Sequence, residues 1–167
     1  MDIRHLAIAT ALWTSVLAPC FARECAKGDP AAAAVSFYEK HRDFIHQGAK
    51  SPPLSASLAK LVAANITQNL DGGDVGAIDW NFWADAQDGD VGATAKAIST
   101  REERGRVMVR LSYRFFFNPS DKPVPKESEV ALTRGANGCW LVEDVLHNSR
   151  SVRKLLEIGT SKKRGKQ

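Results

Sequence analysis

The spacing of the hydrophobic residues changes once along this chain, near residue 93. Before that point, apolar residues recur every three or four positions in two segments, 31–46 and 55–69. After it, they alternate with polar residues in four segments, at 94–100, 107–117, 128–134 and 139–145. The first spacing is typical of a helix with one buried face, and the second of a strand with one buried face. The pattern therefore predicts the α+β class, with two N-terminal helices packed on a curved four-stranded antiparallel sheet.

Local signals support these assignments at three places. Asp29 followed by Pro30 is typical of a helix cap and the first helical position. Asn137-Gly138 predicts a tight hairpin between the third and fourth strands. A short C-terminal helix is predicted for residues 152–158, which closes a single domain.

The first 22 residues have the layout of a cleavable secretory signal peptide. Arg4 supplies the positive start, and residues 6–18 are mostly apolar but too short to span about 30 Å of hydrocarbon comfortably. We therefore expect cleavage after Ala22 and a periplasmic or secreted protein without stable membrane insertion. A lipoprotein acylated at Cys20 is the second interpretation, because Pro19 fits poorly at the position before such a cysteine.

Cleavage leaves residues 23–159 as one α+β domain and residues 160–167 as a predicted disordered basic tail. The net charge is +4, and it is concentrated at the C-terminal end. Residues 150–167 contain seven basic residues and one acidic residue. A basic tail on an exported protein is a poor predictor of nucleic-acid binding, and we expect none.

Two cysteines, Cys25 and Cys139, remain after cleavage. An even number of cysteines in an exported chain predicts one disulfide bond between them. The loop that the bond closes is long, and chain entropy assigns it an upper value of about 4–5 kcal/mol. Two separate buried thiols are the alternative interpretation.

Segment 70–92 differs in composition from the rest of the chain. It has no basic residue and six aspartates: Asp71, Asp74, Asp79, Asp85, Asp88 and Asp90. Three large aromatic residues lie among them: Trp80, Phe82 and Trp83. Long loops in compact domains are often functional. We therefore predict that this loop binds a basic protein partner through Asp79, Trp80, Trp83, Asp85 and Asp88. The alternative is that at least two of the aromatic rings fill the core.

No motif pairs a nucleophile with a base, so we expect a protein without enzymatic activity, cofactor or metal. A calcium site is one alternative, but from Asp85 the third and fifth loop positions are Gln87 and Gly89, which do not fit an EF-hand. Acid–base chemistry in a concave pocket is another alternative. It would pair Asp79 or Asp88 with one of three residues: Tyr38, His41 or Tyr113.

Four segments carry a family resemblance. They are Phe37-Tyr38, the run at 54–58, the aromatic segment at 79–88 that ends in Ala86-Gln87-Asp88, and the strand at 140–145. Together they resemble a family of small exported bacterial proteins of unknown function with a nuclear transport factor 2-like, curved-sheet fold. The chain is also similar, more weakly, to type VI secretion amidase immunity proteins.

This resemblance implies two functions. The first is an exported binding protein of the immunity type, which occludes a cell-wall hydrolase such as an amidase through the 71–90 loop. The second is a small-ligand-binding protein or acid–base enzyme that uses the concave pocket of the sheet. The family supplies no catalytic residues that can be transferred to this chain.

Overall fold

The computed structural model describes residues 26–46, 52–70 and 76–164. Three helices are present in this part of the chain: α1 (Pro30–His41), α2 (Ala56–Leu70) and α3 (Val152–Arg164). Five strands are present there: β1 (Asp90–Glu103), β2 (Arg106–Phe116), β3 (Val124–Arg134), β4 (Trp140–His147) and β5 (Arg150–Ser151). The described residues include no helix long and apolar enough to cross a membrane. The signal segment 1–22 and Cys25 lie outside the described residues.

The five strands form one antiparallel sheet in chain order, from β1 to β5. The α+β class is therefore confirmed, and the predicted hairpin joins β3 to β4. The predicted number of four strands is wrong by one. The short strand β5 follows a turn in which Asn148 and Ser149 both have positive φ, so the chain reverses within two residues. A two-residue strand has no alternation of its own, and the sequence pattern could not indicate it.

Helix α1 begins at the predicted cap. The Asp29 side chain accepts hydrogen bonds from the backbone N–H groups of Ala31 and Ala32, which have no partner inside the helix. The helix ends at His41, and residues 42–46 continue as turns rather than as helix. Helix α1 crosses the inner face of the sheet, and α2 lies beside α3 near β4.

Helix α3 continues past Gly159, where the sequence predicted its end. A Cβ atom at this glycine would lie only 2.2 Å from the Cβ atom of Ala77. The glycine therefore allows α3 to pass close to the segment before β1 and does not end the helix. The expected boundary between the domain and a basic tail falls inside α3, whose backbone is helical to Arg164.

The core lies between the inner face of the sheet and the elements that cover it. Strand β2 contributes four inward residues, at alternating positions: Val109, Leu111, Tyr113 and Phe115. Helix α1 contributes Phe37 and Tyr38, and both are almost fully buried. The outer face of the sheet carries charged side chains, of which Glu129 is paired with both Arg101 and Arg110.

Candidate functional site

Residues 76–89, which we call the anchored loop, connect the region after α2 to β1. Four of its apolar residues are buried in the core: Ile78, Phe82, Trp83 and Ala84. The loop closes on itself through the backbone of Asn81 and Ala86, whose N–H and carbonyl groups lie 3.1 Å apart. The loop is therefore a packed part of the domain, although it has neither helical nor sheet structure.

Trp83 is the central anchor of this loop and is only 2% exposed. Its ring meets the edges of the Tyr38 and Tyr113 rings, at centroid distances of 5.0 and 5.9 Å. Its indole N–H donates a 2.8 Å hydrogen bond to the carbonyl of Arg42. A side chain in this position offers no surface to a partner, so the interpretation of Trp83 as an interface anchor is corrected. With Phe82 also buried, two of the three aromatic rings fill the core, as the alternative interpretation states.

Trp80 is only partly buried, at the rim of the loop. Its carbonyl lies 3.3 Å from Nε2 of His46. Together with Asp43 and Asp79, these residues line a surface depression of about 260 Å³. Trp80 is therefore the aromatic residue of the loop that remains accessible to a partner.

Asp85 ties the loop to the far side of the sheet. Its backbone has a φ of 52°, a left-handed conformation that aspartate adopts more readily than most residues. Its carboxylate accepts a 2.6 Å hydrogen bond from Arg150 and a longer one, at 3.5 Å, from Asn148. The charge of Asp85 is thus offset within the chain, and the residue positions the loop.

Asp79 and Asp88 are exposed. Neither carboxylate makes a side-chain hydrogen bond or ion pair among the described residues. Asp90, the first residue of β1, is exposed as well. The acidic surface without a basic partner is therefore formed by Asp79 and Asp88 of the loop together with Asp90 at the start of β1, while Asp71 and Asp74 lie outside the described residues.

A buried polar cluster that was not predicted from the sequence lies beneath the loop. The Ser128 hydroxyl is 2.6 Å from the Tyr113 hydroxyl and 2.8 Å from Nδ1 of His147. The Tyr113 hydroxyl also donates a 2.7 Å hydrogen bond to the carbonyl of Trp83. Burial lowers the pKa of His147 and raises the pKa of Tyr113. The available signal was strand alternation, which places all three side chains inward once β4 is extended to His147.

The inner face of the sheet, where a concave pocket was the alternative, is filled by aromatic rings. The Tyr38 and Tyr113 rings lie 4.9 Å apart, and Trp83 packs against both. The Tyr38 hydroxyl donates to the carbonyl of Gly92. The structure brings neither Asp79 nor Asp88 to these tyrosines. An acid–base pair of either aspartate with Tyr38 or Tyr113 is therefore not assembled among the described residues.

Groups of three or more metal-binding side chains are not found in the described ranges. Cys139 is buried just before β4, and the next residue, Trp140, donates a 2.8 Å backbone hydrogen bond to Ala26. Ala26 follows Cys25 directly in the sequence, which favours the proposed disulfide bond. Because Cys25 lies outside the described residues, the bond stays a prediction, and a free-thiol count on the unreduced protein tests it.

Comparison of the chain with protein-family models, with curated proteins and with solved structures finds no match. The resemblance to the curved-sheet family and to the amidase immunity proteins therefore stays an expectation from the sequence. The geometry of the anchored loop is the basis on which a function can be argued.

Proposed function

We propose that the protein is an exported, non-enzymatic binding protein that presents its anchored loop to a basic protein partner. The observation that carries this proposal is the burial of Ile78, Phe82, Trp83 and Ala84 beneath exposed aspartates. Packing of these apolar residues fixes the backbone that carries Asp79 and Asp88. A surface ordered before binding loses less conformational entropy when the partner arrives, which favours affinity.

The charge of the loop indicates the kind of partner. Residues 76–92 contain four aspartates and no basic residue. Arg150 offsets the charge of Asp85, and Asp79, Asp88 and Asp90 stay exposed at the surface. An acidic surface attracts a basic partner and speeds its encounter. The partly exposed ring of Trp80, beside Asp79, adds an aromatic contact of the kind that is enriched in binding hot spots.

We further propose that the partner is an enzyme of the cell envelope, such as a cell-wall hydrolase with a basic cleft. In that case the loop would block the cleft sterically, as an immunity protein does. Export by the expected signal peptide would place both proteins in the same compartment. The filled inner face of the sheet supports a binding role over the small-ligand alternative, because a ligand there would have to displace core rings.

The decisive experiment measures binding and inhibition with matched charge variants. The mature chain is used to capture a partner from envelope extract, and the affinity for the purified partner is then measured at low and high salt. We expect D79N/D88N to weaken binding about tenfold or more, because two charges leave the contact surface. The control is E102Q/E127Q, which removes two exposed charges from β1 and β3 and should bind like the unaltered chain.

Two results would contradict the proposal. One is equal binding by D79N/D88N and the unaltered chain, which would exclude the loop as the contact surface. The other is a captured partner that is a hydrolase yet keeps full activity when saturated with the chain. That second result would remove the inhibitory role and leave the binding role in place.

A further inference from the structure

A chain of hydrogen bonds runs through the core from the end of β4 to the anchored loop. It connects Nδ1 of His147, the hydroxyls of Ser128 and Tyr113, and the carbonyl of Trp83, with successive distances of 2.8, 2.6 and 2.7 Å. All three side chains are at least 97% buried. We call these groups the buried relay.

The direction of the buried relay follows from counting donors. The Trp83 carbonyl can only accept, so Tyr113 donates to it. The Tyr113 oxygen then accepts from Ser128, and Ser128 accepts from His147, which places the imidazole proton on Nδ1. Burial disfavours the charged ring, so we assign His147 as neutral, and its other nitrogen, Nε2, is a buried atom without a hydrogen-bond partner among the described residues.

Charged and polar groups on every element around His147 decide how readily its ring accepts a proton. Burial is the largest influence and disfavours the charged ring, and the positive charges of Lys126 on β3 and Arg150 on β5 act in the same direction. Asp85 in the anchored loop and the backbone carbonyl of Glu127 act in the opposite direction. Tyr113, from β2, is the remaining titratable group in contact and is neutral at physiological pH.

We propose that protonation of His147 at Nε2 in mild acid releases the anchored loop from the sheet. A protonated His147 ring in this buried position requires water to solvate its charge. The elements that cover the ring are held in place by different kinds of interaction. Strands β3 and β4 are fixed by a backbone ladder. The Phe82 ring, 6.3 Å from the imidazole, belongs to the anchored loop, whose described residues make no backbone-to-backbone hydrogen bond to the sheet.

Among the elements that cover His147, the anchored loop is the one without a backbone ladder to the sheet, so we expect it to be the part that moves, even though its opening exposes buried side chains. Its side-chain and carbonyl attachments near His147 are the Tyr113 bond to Trp83 and the Asp85 contacts with Arg150 and Asn148. Displacement would expose Trp83 and shift Asp79 and Asp88 from their fixed positions. Protonation of His147 would thus disrupt the acidic surface at low pH and weaken its binding to any partner.

Proton linkage gives the direction and the size of the pH effect on the opening of the anchored loop. In the closed state the pKa of His147 lies below its ordinary value of about 6.5, while in the open state water can solvate the ring. Above that value both states are neutral and pH has no effect. As pH falls below it, the open state takes up one proton more, so the opening equilibrium rises by up to about tenfold per pH unit.

The test is amide hydrogen exchange of the anchored loop between pH 8 and pH 5, expressed as protection factors so that the intrinsic pH dependence of exchange is removed. We expect protection in residues 81–86 to fall as pH drops below about 6.5, by up to about tenfold per unit, with little change in β2 and β3. Tryptophan fluorescence should shift over the same range, because Trp83 becomes hydrated.

Two variants decide whether His147 is the group responsible. His147→Asn keeps a donor toward Ser128 and cannot be protonated, so its loop protection should not change over this pH range. His46→Asn is the matched control, since His46 is an exposed histidine that contacts the Trp80 carbonyl. A pH response that persists in His147→Asn, or that disappears in His46→Asn, would overturn the proposal. If His147→Asn fails to fold, an NMR titration of His147 in the unaltered chain decides, and a midpoint at or above 6.5 would refute the proposal.

Discussion

The anchored loop and the outer face of the sheet both carry charged residues, but they use them differently. On the outer face, Glu129 of β3 is paired with Arg110 from the adjacent strand β2 and with Arg101 from β1, one strand further. In the loop, Asp85 has a basic partner, while Asp79 and Asp88 have none among the described residues. Charges that are paired within the chain stabilise its surface, whereas charges left unpaired on an ordered backbone are available to another molecule. This difference between the two regions is the reason for placing the binding surface on the loop, and it can be tested by substitution.

The largest effect is expected from removing the central anchor of the loop. Trp83→Ala should lower the free energy of unfolding by about 3–5 kcal/mol, because it leaves a large cavity beside Tyr38 and Tyr113. Trp80→Ala should cost only about 1 kcal/mol, because that ring is partly exposed. Urea denaturation of both variants measures the difference. Similar losses for the two tryptophans would contradict the assignment of one to the core and the other to the surface.

Gly159→Ala should destabilise the protein by about 1–3 kcal/mol, because the new methyl group would clash with Ala77 at the start of the loop. The direction of the stability change is informative, since a glycine-to-alanine substitution in an exposed helix normally stabilises a protein by about 1 kcal/mol. Lys154→Ala, at an exposed position of α3, is the control and should be nearly neutral. A stabilised Gly159→Ala variant would show that α3 does not constrain the loop. Thermal unfolding provides the measurement.

On the outer face, Glu129→Gln should cost under about 1 kcal/mol, since partly exposed ion pairs contribute little. Its hydrogen bond with Arg101 lowers the pKa of Glu129 below its ordinary value. Its stabilising contribution is therefore present above the ordinary carboxylate range near 4.5 and is lost as pH falls through the depressed native value. Unfolding curves should show a larger gap between the unaltered chain and the variant at pH 7 than at pH 3. A gap of equal size at both pH values would show that charge pairing is not its source.

The smallest effect on stability is expected from the residues that we place at the contact surface. D79N/D88N should unfold within about 0.5 kcal/mol of the unaltered chain, because neither carboxylate has a partner within the described fold. The comparison variant is Asp85→Asn, which weakens the contact with Arg150 and should be the less stable of the two. If D79N/D88N proved clearly destabilised, these aspartates would have a structural role, and the contrast with the outer face would fail.

The α+β class, the capped start of α1 at Asp29 and the hairpin between β3 and β4 could all be predicted from the sequence. These features depend on spacing and on turn residues within a few positions of one another, so local signals suffice to indicate them. Segment 70–92 was also recognisable as an acidic loop from its composition alone.

Which residues of that loop are buried and which are exposed depends on the packing of the whole domain. Trp83 donates to the carbonyl of Arg42, 41 positions away, and Asp85 accepts from Arg150, 65 positions away. Trp80 has the same side chain as Trp83 and lies only three residues before it, yet it stays at the surface. Contacts over such separations depend on the packing of the whole domain, so residue type and local spacing could not have distinguished the two tryptophans.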